Sequence, residues 1–141
     1  MANRSGARNV AAMTRVGPLA LATLILVATY LIGAVIAALT GVGTLADAAA
    51  NGTKLSAPGF LIALELFAAY LVVRGKTAGA AILLGTSGLS TAAFAFDGDF
   101  AHDSLSAGHV VWQGLEVWLA LAVFSLALRA LIRTRRRPAV A

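Results

Sequence analysis

Of 141 residues, 60% are hydrophobic and only 12% charged, against about 25% charged in a soluble globular domain, so the chain carries more apolar surface than a soluble core can use. The absence of cysteine excludes disulfides, thiolate metal sites, iron–sulfur clusters and thiol redox relays. The net charge of +5 does not form a basic face for nucleic acid; the Arg and Lys residues flank apolar runs, where they act as topology signals.

Residues 1–17 hold Arg4, Arg8 and Arg15 without amphipathic periodicity and read as a basic cytoplasmic tail. The uncharged run 18–40 is long enough to span a bilayer. A basic start and the small-x-small sequence Ala46-Asp47-Ala48 also fit a cleaved signal peptide, but the run is too long for the usual apolar core of one. Gly41-Val42-Gly43 stops the helix, Asn51-Gly52 marks a turn, and Ser56 is placed to cap the next helix with Pro58 in its first turn.

A second span is predicted over about 57–73 and contains Glu65; Arg74-Gly75-Lys76 then makes a tight basic turn. The third span, about 77–96, is rich in small residues. Ala81 with Gly85, and Gly88 with Ala92, form pairs that let another helix backbone come close. An acidic segment from Asp97 to Ser104 leads to a fourth span over about 108–132, and residues 133–141 form a second basic tail.

With both tails and the Arg74/Lys76 turn on the cytoplasmic side, nearly all positive charge lies inside. The expected architecture is therefore an all-α integral membrane four-helix bundle with both termini cytoplasmic. Abundant Ala and a preference for Arg over Lys suggest, by association, a GC-rich bacterial genome and hence the bacterial inner membrane.

Chemistry is expected where polar groups interrupt the apolar runs. His109, Gln113 and Glu116 lie at i, i+4 and i+7 and share one helix face. A bare carboxylate in hydrocarbon is costly, so Glu65 and Glu116 must face protein, water or ligand, or carry a proton. In this topology both lie at similar depth, with Ser90 and Thr91 at a comparable level. The predicted site is an outward-facing polar pocket floored by Glu65 and Glu116 and gated by the Asp97–His109 segment. Trp112 is read as an interfacial belt residue and Trp118 as a packing residue.

Asp97, Asp99, His102, Asp103 and His109 could in principle ligate a metal, but their spacing matches no metal motif and a solvated acidic loop is preferred; no cofactor is predicted. Three function classes follow. The leading one is binding or transport of a proton-coupled or small amphipathic ligand. The second is an accessory subunit that assembles as a homo-oligomer or within a larger membrane complex. The third is an intramembrane acid/base enzyme acting on a lipid or isoprenoid, for which no nucleophile or phosphate motif is present. The lipid bilayer is the expected environment, and no nucleic-acid partner is expected.

Overall fold

The computed structural model describes residues 17–96 and 105–136, which form five helices joined by short connections. Helix α1 (Pro18–Thr40) starts at a proline whose fixed φ suits the first helical turn, after Gly17 in extended conformation. It contains no charged residue, and it ends at Gly41, whose N–H donates to the Ala37 carbonyl. The short α2 (Leu45–Ala50) opens with a capping box. The Thr44 hydroxyl accepts from the Asp47 N–H, and the Asp47 carboxylate accepts from the Thr44 N–H and hydroxyl at 3.1 and 2.6 Å. Those two donors hold the Asp47 carboxyl below the usual carboxylate range.

Helix α3 (Gly59–Val73) has 15 residues, α4 (Thr77–Phe96) has 20 and α5 (Ala107–Arg135) has 29. Helices α1, α4 and α5 are long and apolar enough to cross a membrane. At about 1.5 Å per residue, α3 is roughly 22 Å long, shorter than a bilayer core of about 30 Å. It begins later than the sequence suggested. Ser56 does not cap it; the Ser56 hydroxyl turns back to the Ala57 carbonyl, and Pro58 occupies the position before the first turn.

Packing runs around a closed ring in which α1 touches α3 and α5, and α4 touches α3 and α5. The interior is built from Leu26, Leu61, Leu83, Ala120 and Val123, with Tyr30 among them. Large apolar side chains also cover the outside, including Leu21, Ile32, Leu39, Phe60 and Leu89. Water penalises such a surface and hydrocarbon does not, so an apolar exterior on long apolar helices is what a lipid environment demands.

Two glycines fix how closely the elements approach. At Gly79 an added Cβ would meet the Ala68 carbonyl oxygen at 2.5 Å and the Val72 nitrogen at 2.8 Å, so α3 and α4 cross backbone to backbone there. At Gly33 an added Cβ would collide with the Leu55 carbonyl and come within 2.8 Å of Trp112 Nε1. The connection from Gly41 to Pro58 is therefore more than a link between helices. A Thr53–Ser56 bridge folds it back, Leu55 is fully buried, and the segment is seated on α1 at Gly33.

The small pairs of α4 divide. Gly88 faces Phe124 of α5, whereas Ala81 and Gly85 point outward and a Cβ at Gly85 meets nothing within 4 Å. Ala92 is half-buried. The close packing predicted at Ala81 and Gly85 thus does not occur within this chain, because the tight α3–α4 crossing is made nearer the start of α4, at Gly79. Gly33→Ala is expected to lower stability by about 1–3 kcal/mol through overpacking, read as a lower unfolding temperature of the purified protein. Gly85→Ala, with open space for its methyl, is expected to leave that temperature unchanged or raise it.

Candidate functional site

Buried side-chain atoms without a hydrogen-bond partner occur on Tyr30, Glu65, Ser90, Gln113 and Glu116. Glu65 on α3 and Glu116 on α5 are both fully buried. Glu116 Oε1 accepts from the Trp112 indole Nε1 at 3.1 Å, one helical turn away. Glu116 Oε2 and both Glu65 carboxyl oxygens have no hydrogen-bond partner. In an interior of low dielectric each such atom is a liability unless a proton, a water or a ligand supplies its partner.

Gln113, one turn before Glu116, is 1% exposed and reaches out of its own helix. Its Nε2 donates to the Lys54 carbonyl at 2.8 Å, tying α5 to the folded connection. A carbonyl only accepts, so this bond fixes the amide orientation and leaves Gln113 Oε1 as an unpartnered acceptor. Tyr30, from the middle of α1, is fully buried. Its hydroxyl has no hydrogen-bond partner, and neither does that of Ser90.

A cavity of about 560 Å³ opens beside these groups, between the folded connection and the ends of α1, α3, α4 and α5. Tyr30, Ser90 and Gln113 bring polar groups to it from the helices, Asn51, Thr53 and Ser56 from the connection, and Phe60, Leu89 and Phe94 belong to its apolar wall. Asp47 and Lys54, of opposite charge, lie on the side of the connection. Glu65 and Glu116 are not in the wall; both are fully buried, and Glu116 lies one helical turn beyond Gln113 on α5. Among the described residues no Arg or Lys side chain is fully buried, and Lys54 is half-buried.

The residues singled out from sequence separate into three groups. Gln113 and Ser90 reach the cavity, and Glu65 and Glu116 lie inside the bundle. Thr91 does not reach the cavity wall, because its hydroxyl bonds back to the Ser87 carbonyl at 2.8 Å. His109 is engaged in a cap: its Nδ1 accepts from the Ser106 N–H at 3.2 Å, and its own N–H faces the Ser106 hydroxyl at 3.4 Å. It holds the start of α5 and is not part of the cavity wall. Asp97, Asp99, His102 and Asp103 lie outside the described residues. Among the described residues no three His, Asp or Glu side chains converge on a metal position.

Trp112 is half-buried and turns its indole to Glu116 and Gly33, whereas Trp118 departs from the packing role expected from sequence. Trp118 faces outward and is 74% exposed. Tyr30 was missed, although it satisfies the criterion that identified Glu65: a side chain with a polar tip in the middle of an apolar run.

Three candidate spans make this, by helix length and hydropathy, a small multi-pass membrane protein. No protein family, characterised protein or solved structure matches the chain.

If Gln113 anchors the connection, Gln113→Leu leaves the Lys54 carbonyl unsatisfied at a cost of about 1–3 kcal/mol. The expected result is faster proteolysis between Gly41 and Pro58 in the variant, with helix content by circular dichroism unchanged.

Proposed function

We propose that this protein binds or transports a small amphipathic ligand in the cavity between the folded connection and the helix ends, with Glu65 and Glu116 exchanging protons as the ligand enters and leaves. The observation that carries the reading is the group of unpartnered buried polar atoms on Tyr30, Glu65, Ser90, Gln113 and Glu116, gathered beside a cavity of about 560 Å³. A packing role alone would give these atoms partners within the bundle. In this reading α3 is the fourth span, made short by the folded connection that covers its start. Both tails lie in the cytoplasm, and the cavity opens to the opposite side. A bacterial inner membrane suits the composition.

Thermal stabilisation of the purified protein by a panel of small amphiphiles of mixed charge tests the reading. At least one compound is expected to stabilise the wild type, and Glu65→Gln and Glu116→Gln should each weaken that response about tenfold while reaching the membrane in normal amounts. Undiminished responses in both variants would contradict it.

A second reading, an assembly subunit, is favoured by the outward-facing Ala81 and Gly85, which leave room for the backbone of another helix. It expects Gly85→Leu to shift the protein to a smaller species in native mass spectrometry from lipid. An unchanged mass distribution would remove it.

A further inference from the structure

The unpartnered atoms beside the cavity are not a balanced set. Four of them, on Glu65, Glu116 and Gln113, are carboxyl or amide oxygens; the other two are the hydroxyls of Tyr30 and Ser90, which donate or accept equally well. The surplus is therefore in acceptors. Two carboxyls also lie in the interior, where among the described residues no Arg or Lys is fully buried and only the half-buried Lys54 reaches the cavity, from the connection.

The walls supply an independent observation. Tyr30, Phe60 and Phe94 all line the cavity. Aromatic faces carry partial negative charge and attract cations, most strongly where water is scarce. The same rings and Leu89 offer apolar contact to whatever is attached to the charge.

We propose that the cavity is a site for an amphipathic organic cation, a protonated amine or quaternary ammonium. Its head would lie by Tyr30 and Gln113 in the field of Glu65 and Glu116, with its apolar part against Phe60, Leu89 and Phe94. The assignment rests on the cavity reading above and adds the charge of the ligand. Without a cation the carboxyl pair is neutral only when it carries protons. Entry of one monovalent cation into the cavity is matched by loss of one proton from a carboxyl to water, so that a buried carboxylate outside the wall balances the ammonium in the cavity; no covalent bond to the ligand forms, and charge is conserved.

Few other groups can contribute to that exchange. Among the described residues, α1 brings only Tyr30 as a titratable side chain and α4 brings none. On α3, Tyr70 is exposed and stacks under the Arg74 guanidinium at 5.7 Å. On α5, His109 is held in the Ser106 cap, and Arg129, Arg133 and Arg135 are exposed. Asp47 and Lys54 on the connection carry opposite charges.

The test uses the full chain in nanodiscs of zwitterionic lipid and three probes of one skeleton: phenylbutylammonium, phenylbutanol and phenylbutyrate. Binding is measured by equilibrium dialysis against empty nanodiscs. The ammonium is expected to bind at least about tenfold more tightly than the alcohol, and the butyrate more weakly still. The Glu65→Gln/Glu116→Gln double variant should lower ammonium affinity about tenfold and alcohol affinity by less than about twofold. Acidification should weaken ammonium binding, with one proton released per ligand bound in weakly buffered solution. Alcohol or butyrate binding as tight as the ammonium's, abolished by the cavity-filling Ala93→Phe, would overturn the cation assignment and leave the cavity reading standing. If none of the three binds, the cation assignment also falls, and the amphiphile panel judges the cavity separately.

Discussion

The constraint on which this structure turns is the cost of leaving a buried polar atom without a partner. Each such atom forfeits roughly 1–3 kcal/mol, and a carboxylate more. Six sit in one interior among the described residues, all on side chains of Tyr30, Glu65, Ser90, Gln113 and Glu116. A chain with most of its surface apolar could fill these positions with leucine at no such penalty. Their presence, in company, beside open volume, is what marks this end of the bundle as different from the other.

The fold is arranged to create that end. The helices pack through ordinary apolar contacts around Leu26, Leu83 and Val123. At one end the ring is closed by the segment from Gly41 to Pro58, which dips onto α1 because Gly33 has no side chain and the Leu55 carbonyl can rest against it. Gln113 then clasps the Lys54 carbonyl from α5. The connection shortens α3 and forms one wall of the cavity, so one loop governs both the helix boundary and the site. Trp112 links the two features, lying against Gly33 and donating to Glu116.

Apolar run length and turn signals were enough to read α1 at 18–40 and α4 at 77–96, as the uncharged stretches and the Arg74-Gly75-Lys76 turn required, but not α2, a fifth and short helix inside a stretch read only as a connection. Glu65 and Glu116 were legible as buried groups because a carboxyl in the middle of an apolar run is driven away from lipid and into the bundle. The direction each side chain takes was not legible. His109 shares a helix face with Gln113 and Glu116 by spacing, yet its place in the first turn gives it a capping partner in Ser106, and that local bond wins. Ala81 and Gly85 have the right spacing for close packing but lie on the outer side of α4. Leu55, Lys54 and Gly33 were invisible as a unit, since nothing in a short polar connection announces that it folds back into the bundle. Tyr30 could have been found by treating a phenol in hydrocarbon as strictly as a carboxylate.

The absence of cysteine makes the central claim directly measurable, because a single introduced thiol is the only one in the chain. Ser90→Cys places it in the cavity wall, and Leu31→Cys places it on the apolar exterior of α1. Membrane-impermeant thiol reagents are applied to intact cells and to inverted vesicles. The expected result is that Ser90→Cys reacts from the extracytoplasmic side only, is protected by Ala93→Phe, and that Leu31→Cys does not react from either side. If Ser90→Cys is as inert as Leu31→Cys, no water-accessible cavity reaches the buried polar groups, and they serve packing alone.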